Sequence, residues 1–507
     1  SNIMNRYIIN SFLIFSMALS LGSCSKLLDK DPLDQISSET FWKTQEDANR
    51  ALTGVYARLN CSSFNYSQMM LDIMGGDANE AVSGQGGGQG YRLLAQGSIL
   101  PTSGSIVSGI YSDCYKGISS CNFFLDNIDR TPISTDVKNQ FTGEVRFLRA
   151  LFYFKLTNFY GGVPLYTKMI TVDEAKVPQS SKEEVTAQII SDLDFAINNL
   201  PNTPYAGHAV KGAALALKAK VQLFNKQYAE AAETANQVIQ DGKFHLYDNY
   251  RNLFLAVGQT DNPEIMFSTK FLNPDYSSTQ DIELSWHAIL NPLQQFVDAF
   301  ECTDGLPISS SPLYDPANWK KNRDPRLALS VRPYGEPGIN SAGQVVHFQE
   351  NNISESGWEP LKGINVDALP VDYSTKSEQD WILIRYAEVL LIYAEARNEA
   401  IAKPDNSVYS AINTIRARPG INMPPLPADL SKDQMRERIR QERRIELGLE
   451  GKWYDDVKRW KTAETYIPSL VDPGGTRRKF DASKNYVFPF PQSEVDVNPA
   501  LVQNPNY

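Results

Sequence analysis

Side chains that could catalyse a reaction or bind a metal are few and scattered in this chain of 507 residues. Its four histidines include no pair spaced four apart, so no helix would present a histidine-based metal site. No Ser-His-Asp arrangement or nucleophile elbow is readable, although 59 acidic residues are enough to supply the paired carboxylates of a glycoside hydrolase. We predict a protein with no metal, no cofactor and no catalytic activity.

Four of the five cysteines, Cys61, Cys114, Cys121 and Cys302, follow neither a CxxC nor a zinc-binding spacing. If Cys114 and Cys121 share a helix, they are about 10 Å apart along its axis, which is too far for a disulfide between them. We therefore expect reduced thiols packed in the core.

The fifth cysteine follows an apolar segment near the N-terminus. From Tyr7 to Leu21 the chain carries no charge for about 15 residues, fewer than the about 20 that a spanning helix needs. Arg6 before this segment and small residues after it are typical of a secretory signal peptide. The ending "LGSC" resembles the lipobox of bacterial lipoproteins, so Cys24 is predicted to become the acylated first residue. An ordinary signal sequence is the alternative.

The charge balance excludes some classes of partner. The net charge is −10 and the chain has no long block of Lys or Arg, which argues against nucleic acid and against a polybasic membrane patch. The glycine-rich stretch "SGQGGGQGYRLLAQGS" (83–98) satisfies neither GxGxxG nor the P-loop pattern, so we expect no nucleotide there.

Helical periodicity dominates the two outer parts of the chain. Phe147, Ala150, Leu151 and Phe154 fall on one helical face, and the glycines at 161–162 should end that helix. "GAALALKAKVQLF" (212–224) and "YAEAAETANQVIQDG" (228–242) predict two more helices, and the second should end at its glycine.

A helical pair near the C-terminus has the length of a tetratricopeptide repeat. "RYAEVLLIYAEARNEA" (385–400) and "VYSAINTIRAR" (408–418) flank a Lys-Pro-Asp turn and together span roughly 34 residues. We therefore predict a mostly α fold, a tetratricopeptide-like scaffold of helix pairs. Between 262 and 375 the helical period disappears and three of the seven tryptophans occur, which indicates an irregular insert with short strands.

Several motifs, in order along almost the whole mature chain, resemble the RagB/SusD family of outer-membrane lipoproteins of Bacteroidetes. They are "DPLDQISSETFWKT", "FLRALFYFKLTNFYGGVPL", "NPLQQFVDAFECTDG", "RYAEVLLIYAEA", "IRARPG", "IRQERRIELGLEGKWYDDVKRW" and "FPFPQSEVDVNPALVQNPNY". Two departures are small. Pro419 replaces a small residue, and Asn506 stands where the last turn usually has glycine, although Asn also tolerates the left-handed conformation.

The resemblance implies about four tetratricopeptide-like helix pairs and a glycan-binding lipoprotein, anchored to the outer membrane by its lipid and facing the exterior. It also implies delivery of the glycan to a SusC-like TonB-dependent transporter. The implied division of the chain is a signal peptide (1–23), a lipidated tether (24–40) and a single domain (41–507), itself divided into an N-terminal helical part (41–261), the insert (262–375) and a C-terminal helical part (376–507).

The motifs themselves are expected to be structural. Alternating charges at Glu442, Arg443, Arg444 and Glu446 predict an ion-pair network on a helix surface rather than acid–base chemistry. Trp453 and Trp460, seven apart on one helix, are expected to pack a seam of the core.

A sugar ring offers apolar C–H faces and equatorial hydroxyls, so its site needs exposed aromatic rings flanked by polar side chains. Trp286, in "DIELSWHAILNP", is the first choice, and Tyr91 and Arg92 end the early glycine-rich region from which family members often contact ligand. For each candidate, a purely structural role is the alternative. The candidate glycan-binding residues are Trp286, Tyr276, Tyr91, Arg92, Asp72, Asn79, Glu80, Asp281, Glu283, Trp319 and Trp358.

Two other functions stay open at this point. Helical repeats commonly bind peptides and some family members serve peptide import, so capture of a peptide or protein is the first alternative. A glycoside hydrolase is the second, and it requires two carboxylates about 5–10 Å apart.

Overall fold

The computed structural model describes residues 41–81, 90–104, 106–349 and 354–507. The predicted signal peptide, Cys24 and the tether lie outside the described residues, as do residues 83–89 of the glycine-rich stretch. Within the described residues, no helix combines the length and the apolarity that crossing a membrane requires.

Helices make up most of the regular structure. They are α1 Gln45–Tyr56, α2 Leu71–Gly75, α3 Tyr91–Ala95, α4 Ile106–Asn127, α5 Thr135–Tyr160, α6 Lys182–Asn199, α7 Lys211–Phe224, α8 Tyr228–Asp241, α9 Gln294–Ala299, α10 Arg326–Ser330, α11 Tyr386–Ala400, α12 Asn406–Arg416, α13 Lys432–Glu446, α14 Trp453–Arg459, α15 Ala463–Ser469 and α16 Gln492–Val497.

The ends of these helices follow from local chemistry. Thr44, Ser181 and Ser431 form capping boxes at the starts of α1, α6 and α13, each bonding a backbone N–H three residues on. α5 ends at Gly161 and α8 at Gly242, both with positive φ, as the sequence predicted.

The long helices pack in chain order, as expected for helical repeats. α5 contacts α4 and α6, α7 contacts α6 and α8, and α11 contacts α8, α12 and α13. Close approach of α4 to α5 depends on Gly117, because a Cβ built there would lie 2.5 Å from the ring of Phe152. The predicted mostly α, tetratricopeptide-like fold is confirmed.

Short antiparallel strands occur mainly in the predicted insert. They are β1 Ala78–Glu80, β2 Ile265–Thr269, β3 Leu290–Pro292, β4 Val331–Pro333, β5 Gly338–Ile339, β6 Val345–Val346, β7 Trp358–Pro360 and β8 Trp381–Arg385. The pairs are β1 with β3, β2 with β8, β4 with β7 and β5 with β6, and β3 also lies against β7. Thus β1 and β3 join the early region of the chain to the insert.

The charges of α13 form a buried network, so the predicted helix-surface network was wrong. Glu446 is fully buried and accepts hydrogen bonds from Arg385, Arg418 and Arg326 at 2.6–2.8 Å. Glu442 is also buried and bonds Arg326 and Arg416. The arginines come from other parts of the chain and cover these carboxylates.

Several smaller expectations hold. Cys114 and Cys121 share α4 and are buried free thiols. Trp453 and Trp460 pack edge to face, with ring centroids 5.7 Å apart, and Trp453 also packs against the core. Asn506 has φ +67°, the left-handed conformation that glycine usually supplies.

Candidate functional site

Trp286 and Tyr373 form an aromatic pair at the surface, here called the aromatic platform. Their ring centroids are 4.8 Å apart, and the planes are tilted by 53°. Tyr373 is 67% exposed, while Trp286 is half-buried and also contacts the ring of His287, 5.2 Å away. The indole Nε1 is buried and has no hydrogen-bond partner among the described residues.

Local structure holds Trp286 at this position. It ends a π-helical turn, Ile282–Trp286, and β3 begins four residues later. Extra backbone width in a π turn is common at functional sites. The turn therefore fixes an indole that a flexible loop would leave free to rotate.

Asp281 anchors the loop that carries Tyr373. Its carboxylate is buried and accepts hydrogen bonds from the Ser377 hydroxyl at 2.7 Å and from the backbone N–H of Asn365 at 2.7 Å. Ser278 and Ser377 also pair their backbones. Asp281 is thus a buried residue that holds the loop of Tyr373 in place, and its carboxylate does not reach the surface.

Glu283 lies beside the platform. Its carboxylate is 3.2 Å from Nδ1 of His287, and both side chains are mostly covered. Burial, together with the charge of Glu283, raises the pKa of Tyr66 to about 12, while a 2.7 Å bond between Tyr66 and Thr279 opposes that rise. Tyr66 is itself buried, so this part of the site is internal.

Arg92 joins the early region to the insert. Its backbone N–H donates to the Glu80 carboxylate at 2.8 Å, and its guanidinium donates to the Glu80 carbonyl and the Glu355 carboxylate, both at 2.5 Å. Asn79 donates to the same Glu355 oxygen at 3.1 Å. Since β1, which carries Asn79 and Glu80, pairs with β3, this polar cluster adjoins the chain segment that follows Trp286.

Tyr91 and Tyr276 differ sharply in exposure. Tyr91 starts α3 and is buried, and burial with the neighbouring Glu80 raises its pKa. Tyr276 is 65% exposed and closes a tight hairpin with Leu272. Lys376, three residues after Tyr373, donates to the carbonyl of Pro274 in that hairpin. Tyr276 is thus on a loop tied to the platform loop.

The remaining tryptophan candidates form a second pair. Trp319 and Trp358 pack edge to face with centroids 5.3 Å apart. Their indole N–H groups are satisfied by Glu336 at 3.2 Å and Gln294 at 2.8 Å. Trp358 is buried on β7 and Trp319 packs partly against the core, so this pair supports the insert more than it offers a ring face.

Asp72 lies away from this surface. It is fully buried in α2, accepts from the backbone N–H of Gly451 at 2.9 Å, and has a pKa raised well above its usual value by burial and by Asp77. Asp72 therefore stabilises the interior of the protein and does not contact a ligand at the surface.

Sequence reasoning missed Tyr373. It lies in "PVDYSTKS", a turn-rich stretch at the very end of the insert, where an aromatic residue among polar turn formers has no core to fill. That composition was the signal from which an exposed Tyr373 could have been predicted.

The arrangement suits binding more than chemistry. The exposed ring of Tyr373 beside the half-buried Trp286 can hold an apolar ring face, while the carboxylate of Glu283 offers polar atoms to hydroxyl groups. Among the described residues no group of three or more His, Cys, Asp or Glu side chains could hold a metal ion.

Family models match both halves of the chain. Residues 256–507 match the SusD family, and residues 28–223 match a family described as starch-binding and associating with the outer membrane. Helical repeats with a loop-rich insertion therefore define the class, and the chain belongs to the SusD family.

Individual relatives align with this chain over nearly its full length. A SusD-like protein of Formosa agariphila is 28% identical, with 97% of this chain and 98% of the relative aligned. A SusD-like carbohydrate-binding protein of Bacteroides fragilis, of known crystal structure, is 26% identical with TM-score 0.81, covering 92% of this chain and 100% of that one. A laminarin-binding SusD-like protein is 25% identical with TM-score 0.72, covering 92% and 100%.

Proposed function

We propose that this protein is a lipoprotein of the outer membrane that faces the exterior, binds a glycan at the aromatic platform and delivers it to a SusC-like TonB-dependent transporter. The observation that carries the proposal is the surface pair of Trp286 and Tyr373, with Glu283 in the same turn as Trp286. The Arg92 cluster is connected to this segment through the pairing of β1 with β3. Tyr276 lies on the hairpin that Lys376 ties to the platform loop.

The physical fit is to a pyranose ring. One C–H face can pack on the platform and lose contact with water, while equatorial hydroxyls bond water or the carboxylate of Glu283. The two rings are tilted by 53°, so they suit a bent oligosaccharide better than a flat sheet of sugars.

The comparisons support the ligand class. Of the similar solved proteins, one is named as carbohydrate-binding and another as laminarin-binding. A match to a starch-binding, outer-membrane-associated family over residues 28–223 supports both the ligand class and the location. These properties carry over to this chain as part of the proposal.

The proposal is of binding without catalysis. A hydrolase would need one carboxylic acid and one free carboxylate across the sugar bond. At the platform, Glu283 contacts His287 and the carboxylate of Glu355 is held by Arg92 and Asn79. Prolonged incubation with the best glycan should release no new reducing ends. Accumulating products would instead favour the hydrolase alternative.

The binding test uses a glycan array followed by calorimetric titration with the best ligand. Trp286→Ala removes the larger ring, and Trp286→Phe keeps a smaller one in the same place. The control is Val257→Ala, which trims a side chain that is 77% exposed on a separate turn, Ala256–Gly258. Thermal unfolding of each variant without ligand reports any loss of the fold.

We expect Trp286→Ala to weaken glycan binding about tenfold, which corresponds to about 1.4 kcal/mol. The Phe variant should lose less affinity, and the control should lose none. Because Trp286 is half-buried, a modest fall in melting temperature is also expected. Normal binding by a strongly destabilised Trp286→Ala protein would remove Trp286 from the site. Binding of peptides and no glycan would favour the peptide-capture alternative.

Delivery to a transporter needs a separate test. Solubilised outer membranes from cells that carry the tagged protein should yield a co-purifying TonB-dependent barrel. Recovery of the protein strictly as a monomer, while its glycan affinity persists, would retain the binding function and refute the transporter partnership.

A further inference from the structure

A groove runs between α4, the loop after α5 and the C-terminal helix α16, and it shares no lining residue with the aromatic platform. Its volume is about 770 Å³, a size typical of small-molecule sites. Aliphatic side chains such as Ile118, Val172 and Val497 contribute to its lining. Val172 and Val497 are 81% and 64% exposed, so the groove is open to solvent.

Three tyrosine rings line the groove side by side. The ring centroids of Tyr111 and Tyr115 are 4.7 Å apart, and those of Tyr115 and Tyr166 are 5.8 Å apart. The Tyr115 hydroxyl donates to the carbonyl of Pro164 at 2.6 Å, and the Tyr166 hydroxyl donates to the carbonyl of Ala175 at 2.7 Å. These bonds hold both rings and engage their hydroxyl groups, so what the two residues offer to a ligand is chiefly aromatic surface.

Glu494 is the acidic residue of this lining, and its carboxylate has no hydrogen-bond or ion-pair partner among the described residues. It lies on α16 and is half-buried. Burial raises the pKa of Glu494. Burial, and then the charge of Glu494, raises the pKa of Tyr111 and of Tyr166. The unpaired carboxylate therefore lies close to the tyrosine rings, where water solvates it poorly.

The lysines of the lining leave this carboxylate unpaired. Lys176 pairs with Asp173 at 3.1 Å, and Lys116 and Lys168 are exposed on α4 and on the loop. A long, exposed lysine keeps its ammonium group in water. The charge that is held beside the aromatic rings is therefore negative.

The walls of the groove are tied to one another. Asn498, which follows α16, donates to the carbonyl of Val177 at 2.8 Å. Asp126 of α4 accepts from the backbone N–H of Met169 at 2.7 Å. The loop is thus held to both helices, and the groove is formed without a ligand.

We propose that this groove binds an organic ammonium group with an apolar substituent, the cation lying over the tyrosine rings and beside the carboxylate of Glu494. Aromatic faces attract cations within about 6 Å of the ring centroid, and quaternary ammonium groups are commonly recognised in this way. A poorly solvated opposite charge adds to that attraction. The aliphatic side chains would cover the substituent. A second positive charge on the ligand would meet the exposed lysines, so a monocation fits best.

Calorimetric titration of the folded, full-length protein with choline tests the cation site. The matched compound is the uncharged alcohol in which carbon replaces the nitrogen of choline, because it has the same shape without the charge. We expect choline to bind about tenfold more tightly than this analogue. Hexyltrimethylammonium should bind more tightly still, because its chain contacts the apolar walls. Hexanesulfonate, an anion with the same chain, should bind more weakly than the hexyl cation.

Variants assign the effect to the groove. Glu494→Gln should weaken choline binding about tenfold and leave binding of the uncharged analogue unchanged. The matched control is Asp496→Asn, which removes an exposed carboxylate from the same helix outside the lining. Tyr166→Leu removes one ring and should also weaken choline binding, whereas Tyr166→Phe keeps the ring and should not. Melting temperatures without ligand show whether each variant keeps its fold.

Absence of choline binding, or equal affinity for choline and its uncharged analogue, would overturn the proposal, because the charge would then have no role. Tighter binding of hexanesulfonate than of the hexyl cation would also overturn it, and would assign the groove to anions held by Lys116 and Lys168. Displacement of choline by the best glycan would refute a separate site, whereas simultaneous binding of both ligands would support it.

Discussion

The guanidinium of Arg385 lies 2.8 Å from the carboxylate of Glu446, and neither side chain is exposed to solvent. Arg385 ends β8 and caps the start of α11, and Glu446 ends α13, so this ion pair joins the start of one scaffold helix to the end of another. Arg418 and Arg326 bond the same carboxylate, at 2.6 and 2.8 Å. Burial of so many charges is tolerated only because each has partners.

Glu446→Gln should therefore destabilise the fold strongly. It would leave Arg385, Arg418 and Arg326 buried with one negative charge fewer, and breaking such a network costs about 3–5 kcal/mol. Urea unfolding measures the change. The control, Glu437→Gln, removes a 74% exposed carboxylate 3.7 Å from Arg440, and should have little effect. Equal stability of the two variants would contradict the structural role of the network.

Stability should fall in acid through Glu395. Burial alone would raise the pKa of Glu395, but Arg459, Arg443 and Trp460 outweigh burial and lower it from 4.5 to about 2. A depressed pKa stabilises the fold fully above the unfolded value of 4.5, and that contribution is lost as the pH falls from 4.5 towards about 2.

Glu395→Gln should remove this dependence. We expect a loss of roughly 3 kcal/mol near neutral pH and a flatter decline of the unfolding free energy between pH ~5 and ~3 than in the parent. Unfolding in urea across that range measures both. A variant whose stability still declines as steeply as the parent's would assign the acid sensitivity to other carboxylates.

Tyr373→Ala should separate binding from stability more cleanly than changes at Trp286. Tyr373 is 67% exposed, so truncation should alter the free energy of unfolding by no more than about 0.5 kcal/mol. Loss of half of the platform should weaken glycan binding up to about tenfold. Tyr373→Phe keeps the ring and tests the hydroxyl alone. Unchanged calorimetric affinity in the Ala variant would place the ligand elsewhere.

The charges around the platform predict a neutral glycan. Glu80, Glu283 and Glu355 outnumber Arg92 and Lys376. The guanidinium of Arg92 is already bonded to the Glu80 carbonyl and the Glu355 carboxylate, and the Lys376 ammonium is bonded to the carbonyl of Pro274. A polyanionic sugar would meet repulsion there. An array should therefore favour neutral glucans over sulfated or uronic acid polymers at low ionic strength. Tight, salt-sensitive binding of a polyanion would refute this prediction.

Cys24→Ala should release the protein from the membrane fraction without changing its fold. Two or more acyl chains would supply most of the anchoring free energy, because a single chain binds membranes only marginally. Detergent partitioning and intact mass measure the change. An unaltered membrane fraction, with no lipid mass on the parent, would favour an ordinary signal sequence.

Much of the scaffold was predictable from local sequence. The faces of α5, α7, α8, α11 and α12 follow from the 3.6-residue period. Ser134 caps the start of α5, and glycines end α5 and α8, since these signals act within a few residues. The family motifs indicated the order of the helical parts and the insert along the chain. Asn506 has the left-handed conformation that was expected of it.

Burial and the site were decided only by the tertiary structure. The alternating charges of α13 predicted a solvent-exposed helix face. Glu446 is nevertheless buried, because Arg385 and Arg326, from distant parts of the chain, pack against it. Trp286 was predictable as an aromatic in the insert, but its pairing with Tyr373 was not, and the Asp281 side chain points inward and holds the loop that carries Tyr373. Local periodicity specifies which residues share one helix face. It carries no information on which remote segment packs against that face, because that choice depends on how the whole chain fills its core.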